Sequence, residues 1–380
     1  MVKNMDRLQK SINEILQKYA GQGYFTQAAA AVFHRKGICL RMTFGGIAPD
    51  AVFDLASLTK LYTSTMLLQI LAEQNLDIDS RILELLAVQG NCERLHRTLK
   101  TVTIRQLLTH TAGLPAWYPM YAADGSLWER LECAVENAQK EDSAAMVYSD
   151  LGFILAGKLV EELSGMTLPE AVETKIRKPL QIPVLTYLPG GNSISSPQRQ
   201  KIVISSYGNS IEKEMCEKLG IRYLGFRPEG EPICGQANDG NVWYCFNGVS
   251  GHAGLFSDVD GVSALGQLYL NTEEPLLCEA MQEQGYGRGL GFEFGEKYPE
   301  GCGHTGFTGT SLFLSEELGV GGVLLTNRLA NRTGKAPDLR ECRTAFHRVV
   351  AEYAGEVQNL QYTPDTAGRN HAPDPECNGS

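Results

Sequence analysis

Ser57 and Lys60 stand three residues apart in Ser57-Leu58-Thr59-Lys60, at the mouth of a strongly apolar run. Positions i and i+3 share a face of an α-helix, so the lysine ammonium can lie against the serine hydroxyl. A serine is a poor nucleophile until a neighbouring base or field helps it shed its proton. Ser-x-x-Lys at a helix start supplies that neighbour locally, and the helix N-terminus adds positive potential. The chemistry on offer is nucleophilic attack by an activated Ser57 hydroxyl. The tetrapeptide alone is a weak signal, because Ser210-Ile211-Glu212-Lys213 has the same form.

Other segments can fill the missing roles. In Tyr148-Ser149-Asp150 a tyrosine precedes a helix and a carboxylate follows two residues later. A phenol beside an ammonium loses its proton more readily, because positive charge favours the phenolate. Tyr148 is therefore a candidate general base; the competing reading is an interfacial tyrosine with Asp150 as a helix N-cap. Gly301-Cys302-Gly303-His304-Thr305-Gly306-Phe307-Thr308-Gly309-Thr310 is glycine-rich and leads into a strand. Its glycines let a substrate or another backbone approach closely. His304 and Thr305 offer donors, and a backbone N–H here could pair with that of Ser57 around an oxyanion. The competing reading is a glycine-rich turn with a surface histidine. His110, at the abrupt Gly113-Leu114-Pro115 stop, reads as a residue bonded to loop backbone rather than a triad base. His252, in Gly251-His252-Ala253-Gly254, reads as structural.

The elements that must hold these groups follow from periodicity. Leu8, Ile12, Ile15, Leu16 and Tyr19 mark an amphipathic helix over 6–19. Ala28–His34 and Ile38–Thr43 read as a β-hairpin, and a second hairpin joins Ser311–Leu314 to Val320–Asn327. From Leu58 to about Gln74 the run is apolar nearly all round, the mark of a buried helix. A helix over Leu151–Gly165 stops at its glycine, and another follows over Leu339–Tyr353. Residues 188–227 are rich in Pro, Gly and Ser and read as loops. Strands at both ends and helices between them predict an α+β fold. Residues 1–56 with 241–355 form the sheet domain, 57–240 a mainly helical domain with cap loops at about 115–145 and 188–240, and 356–380 a disordered tail.

Composition sets limits. A chain of 380 residues with 43% hydrophobic content can fill a sizeable core. A net charge of −10 argues against nucleic acid as a partner and gives no attraction to anionic membranes. No run approaches a membrane span or an export signal. The ten scattered cysteines lack a C-x-x-C pair and read as reduced thiols. The expected location is the cytoplasm. The histidines lack His-x-x-x-His spacing, so no metal site is expected. No Gly-x-Ser-x-Gly elbow is present.

Ser57-Leu58-Thr59-Lys60, Tyr148-Ser149-Asp150 and His304-Thr305-Gly306, in that order, resemble the three motifs of the serine β-lactamase and penicillin-binding-protein superfamily. The subgroup it looks most similar to is the class C β-lactamase-related serine hydrolases, with their esterases and D-amino-acid peptidases. The match covers roughly 20–353. The resemblance implies a β-lactamase/transpeptidase-like fold, with an antiparallel sheet flanked by terminal helices and a large helical insertion. It implies Ser57 as nucleophile, Lys60 holding its hydroxyl, and Tyr148 as the proton carrier. It implies an oxyanion hole from the N–H groups of Ser57 and Phe307, with His304, Thr305 and Gly306 at the substrate edge of the sheet. No cofactor is implied. Two departures matter. Asp150 stands where an Asn is common and, if ionised, only accepts hydrogen bonds. His304 stands where many β-lactamases carry Lys, and a mostly neutral imidazole grips a carboxylate less firmly. Tyr207-Gly208-Asn209 and Ser210–Lys213 echo two motifs in the wrong order and read as cap.

The expected function is hydrolysis of an ester or amide of a small molecule through an acyl-enzyme on Ser57, or acyl transfer if an alcohol or amine replaces water. The alternatives are a D-amino-acid peptidase or carboxypeptidase, a β-lactamase, and a catalytically silent binding protein on the same fold. The sequence carries no signal for oligomeric state.

Overall fold

Ala28–His34 (β1) is apolar at nearly every position because both of its faces are covered. It lies at the heart of a five-stranded antiparallel sheet with Gly37–Phe44 (β2), Cys302–Thr305 (β3), Ser311–Ser315 (β4) and Val320–Thr326 (β5), in the order β2-β1-β5-β4-β3. Ala28 pairs with Thr326 and His34 with Val320, so the chain's two ends meet in one sheet. Both expected hairpins form, with strand ends within a residue or two of those read from the sequence. The computed structural model describes residues 2–137, 145–188, 200–330 and 336–361.

One face of the sheet is covered by the terminal helices Val2–Gly21 (α1) and Arg340–Gln361. Leu8, Ile12 and Leu16 pack with Val32, Phe313, Phe346 and Val350 in that layer. The C-terminal helix runs past residue 356, where the sequence placed the start of a disordered tail; residues 362–380 lie outside those described. The other face carries Val259–Asn271, whose Gly266 lets it press close: a Cβ there would lie 2.4 Å from the Phe33 ring.

The second layer is helical. Thr59–Gln74 (α2) is buried without a break from Thr59 to Leu68, which explains its all-round apolar pattern. Asp150–Ser164 (α3) lies against it and ends at Gly165 in the left-handed conformation, as the glycine stop predicts. The approach of α3 to the segment before Leu255 is close enough that a Cβ on Gly251 would lie 2.3 Å from Phe153 O. A small sheet of Phe53–Asp54, Leu255–Ser257 and Leu185–Tyr187 ties the two layers together just before Ser57.

The cap departs from its loop reading. Ser210–Lys218 (α4) is a helix whose one buried residue is Cys216, so it leaves no apolar stripe to be read. Its strand pair, Ser206–Tyr207 with Pro232–Ile233, is two residues long on each side.

Candidate active site

Ser57 stands in a single 3-10 turn, Ala56–Leu58, that feeds directly into α2. The residue before it, Ala56, adopts φ 46°, a left-handed conformation that non-glycine residues rarely hold. Asp54 fixes this turn. Its Oδ1 accepts from the Ala56 N–H at 2.8 Å and its Oδ2 from the Asn238 N–H at 2.7 Å. Burial pushes the Asp54 carboxyl up to about 6, against the opposing effect of those two bonds. The hydroxyls of Thr308 and Thr310 donate to the carbonyls of Asp54 and Leu55 at 2.8 and 2.9 Å. The glycine-rich third segment is thereby stitched to the nucleophile turn.

Lys60, one helical turn on, is fully buried. Its Nζ donates to Ser57 Oγ at 3.0 Å, to Asp150 Oδ1 at 2.7 Å and to the His252 carbonyl at 3.1 Å. These three acceptors satisfy an ammonium's three donors. Burial works to lower the lysine's pKa, but the charges of Asp150 and then Tyr148 outweigh it, and the group stays above its ordinary range. Lys60 is therefore a cation at neutral pH and cannot itself take the serine proton.

Tyr148 is the candidate for that task. Lys60 Nζ lies 4.9 Å from its ring centre. The ring is backed by His110 at 4.5 Å and faces His304 at 6.0 Å, centre to centre. His110 Nδ1 accepts from the Ser149 N–H at 3.0 Å, so this histidine does bond to loop backbone. Ser149, not Asp150, caps α3: its hydroxyl accepts from the Gly152 N–H at 3.2 Å. Asp150 is instead the first residue of the helix, with its carboxylate turned to Lys60.

His304 is buried beside Tyr148, donating from Nδ1 to the Thr305 carbonyl at 2.8 Å, and is not a surface histidine. Burial, then the charges of Lys60 and Arg288, keeps it neutral; for His110 burial acts first and Arg288 next. Thr305 is half-buried and pairs with Ser311 in the sheet. The cavity wall at this edge is made by Phe307 and Thr308 rather than by His304 and Thr305. Gly306 is needed for the turn, since a Cβ would sit 2.0 Å from Thr310 Oγ1. Neither the Ser57 nor the Phe307 N–H bonds a carbonyl or side chain among the described residues, which leaves both free to receive an oxyanion.

These groups open on a cavity of about 460 Å³. Trp117 and Phe307 supply apolar wall, and among the described residues its acidic lining is Asp150, Glu212, Glu229 and Asp239, with no lysine or arginine. The second Ser-x-x-Lys lies in this wall as cap: Lys213 turns away to Glu229 Oε1 at 2.7 Å. Asn209 bonds Arg227 Nε at 2.9 Å and Tyr244 Oη at 3.0 Å, so this echo of a substrate-binding amide holds the cap together. Asp239 Oδ1 accepts from the Val242 N–H at 2.8 Å and meets His252 Nε2 at 3.1 Å. Burial and then Asp239 hold Glu212 well above the ordinary carboxylate range. Asp150, Asp239 and His252 bring ligand-type atoms within 4.8 Å of one another, and the Lys60 ammonium supplies a positive charge at that point. Sequence reasoning left out Asp239 and Arg288, and read His252 as structural without its bond to Asp239. A lone acid or base with no spacing pattern gives no signal until the fold brings it in.

The Beta-lactamase family model matches residues 12–342. The chain belongs to the Beta-lactamase family. It is a serine hydrolase on the β-lactamase/transpeptidase-like α+β fold. It is 27% identical over 310 residues to an N-acetylmuramyl-L-alanine amidase of Bacillus subtilis (strain 168), covering 73% of this chain and 68% of the relative. A protein of Escherichia coli (strain K12) named "Putative D-alanyl-D-alanine carboxypeptidase" is 28% identical, covering 73% of this chain and 69% of the relative. A solved class C β-lactamase superposes with a TM-score of 0.67 at 15% identity, covering 91% of this chain and 98% of that one. Among the described residues no helix of this hydrolase is long and apolar enough to cross a membrane.

Proposed function

We propose that this serine hydrolase cleaves an ester or amide of a small molecule through an acyl-enzyme on Ser57. The observation that carries the reading is the Lys60 ammonium, which bonds Ser57 Oγ at 3.0 Å while lying 4.9 Å from the Tyr148 ring centre. Tyr148 takes the Ser57 proton as Oγ attacks the acyl carbonyl, and returns it to the departing alcohol or amine. Water then gives its proton to Tyr148, attacks the acyl-enzyme and releases the acid. The free N–H groups of Ser57 and Phe307 receive the oxyanion in both steps. Among the described residues the cavity lining offers acidic side chains and no lysine or arginine, which favours an amide with an uncharged flank over a C-terminal D-amino acid. The names of the amidase and carboxypeptidase relatives keep both amide chemistries within the test. No disulfide joins two of the described cysteines, which supports the reading of a reducing compartment such as the cytoplasm.

The test is a panel of short-chain p-nitrophenyl esters, acyl-amino-acid amides and D-alanyl-D-alanine peptides, run with wild type, Ser57→Ala, Lys60→Ala and Tyr148→Phe. Turnover of esters or amides that is lost in Ser57→Ala and falls ~10²–10⁴-fold in Tyr148→Phe supports the reading. Turnover that survives Ser57→Ala overturns it.

A further inference from the structure

Arg288 lies outside all three motifs and outside the cavity wall. Its frame is fixed on several sides. Gly289 N–H donates to Phe292 O at 3.0 Å, Gly291 N–H to Leu108 O at 3.0 Å, and Glu293 and Gly303 exchange bonds at 2.8 and 2.9 Å. Gly291 holds φ 92°, and a Cβ there would lie 2.3 Å from Ser64 Oγ of α2. The guanidinium is thus carried by a turn clamped between α2, the end of the helix before His110, and the strand of His304.

Arg288 as a whole is only 9% exposed. Among the described residues its side chain makes no hydrogen bond, and none of its nitrogens is both fully buried and unpaired. Glu293 Oε1 is 4.0 Å away and is itself bonded to Lys297 at 2.7 Å. A guanidinium held largely out of water gains from an aromatic face that meets its charge. What it faces is Tyr148, with Cζ 5.3 Å from the ring centre. Lys60 approaches the same ring at 4.9 Å. The other titratable groups around Tyr148 are His110 and His304, both neutral, and Asp150, bonded to Lys60. The third motif contributes no cation here, and Arg288 supplies one from a different part of the chain.

We propose that Arg288 is a positioning residue for the reaction, its charge favouring the phenolate form in which Tyr148 accepts the Ser57 proton. The inference rests on the Ser57–Lys60–Tyr148 reading above. Arg288 exchanges no proton: in acylation the proton passes from Ser57 Oγ to Tyr148 Oη to the leaving group, and in deacylation from water to Tyr148 to Ser57.

The test measures the second-order rate of labelling by an uncharged fluorophosphonate against pH, in wild type, Arg288→Gln and Arg288→Lys, with the labelled peptide mapped. The Gln variant is expected to label Ser57 ~30-fold more slowly at pH 7, the scale of a desolvated cation–π contact. Its acid limb should move to higher pH, and the Lys variant should recover most of the rate and the limb. A Gln variant that labels at the wild-type rate, or labels slowly with an unmoved limb, overturns the proposal. So does one whose only defect is weaker binding of carboxylate-bearing esters. Wild type that fails to label at Ser57 overturns the underlying reading instead.

Discussion

Asp150→Asn tests the electrostatics at the centre of the site. Lys60 is fully buried and its shortest contact is Asp150 Oδ1 at 2.7 Å, while the Asp150 side chain keeps 18% exposure. Breaking one partner of a buried pair costs ~3–5 kcal/mol because the other charge is left uncompensated. The asparagine carbonyl can still accept from Lys60, and such a bond contributes about 1 kcal/mol. The expected loss is therefore ~2–4 kcal/mol at pH 7, by urea unfolding followed by circular dichroism. The pH dependence supplies a sharper reading. In wild type Asp150 holds the Lys60 pKa above the unfolded value, so the contribution is complete below the ordinary lysine pKa and is lost as pH rises through the raised one. With the carboxylate gone, burial is the leading influence and lowers the folded pKa. Stability of the variant should then rise between pH 7 and 10, where the Lys60 contribution in wild type is flat. A variant within ~0.5 kcal/mol of wild type at pH 7, with no rise toward pH 10, would refute the claim that Asp150 neutralises a buried ammonium.

Further outcomes are expected. Wild type should lose stability between about pH 4 and 6, because burial raises the Asp54 carboxyl to about 6 and the folded state holds its proton longer than the unfolded chain. Asp54→Asn should remove that slope in pH-dependent denaturant melts and slow Ser57 labelling, since one of two buried N–H groups loses its acceptor. Gly251→Ala should lower the unfolding free energy by ~1–3 kcal/mol through overpacking against α3, read as a reduced urea midpoint with m unchanged. Asp150→Asn should also raise trace nitrocefin hydrolysis relative to short-chain ester hydrolysis; an unchanged ratio in a coupled absorbance assay would contradict the view that an acceptor-only residue disfavours lactams.

The parts legible in the sequence were those with a period or a fixed spacing. Ala28–His34 and Val320–Thr326 announced themselves as apolar runs, and α2 as a helix apolar all round, because burial on every side leaves that mark. Ser57 and Lys60 were legible because i and i+3 are neighbours on any helix. Tyr148 was legible in identity through its place between the other motifs, but its setting between His110 and His304 was not. Those rings come from segments far apart in the chain, and no local pattern encodes their meeting. The helix at Ser210–Lys218 was missed because only Cys216 in it is buried, which leaves no apolar stripe. Asp150 was singled out beside Tyr148, yet its competing role as an N-cap belongs to Ser149, and two adjacent capping residues cannot be ranked from sequence alone. His304 was expected at the substrate edge and lies buried beside Tyr148, because the chain reaches the cavity wall only at Phe307, after the turn at Gly306.

The central claim is that Ser57 is the acylated residue, and the direct measurement is mass spectrometry of the protein after reaction with a fluorophosphonate. One added phosphonyl group is expected, mapped by peptide fragmentation to Ser57, absent in Ser57→Ala and strongly reduced in Lys60→Ala while both variants remain folded. An adduct on any other residue, Ser210 included, or none on folded wild type, would contradict it.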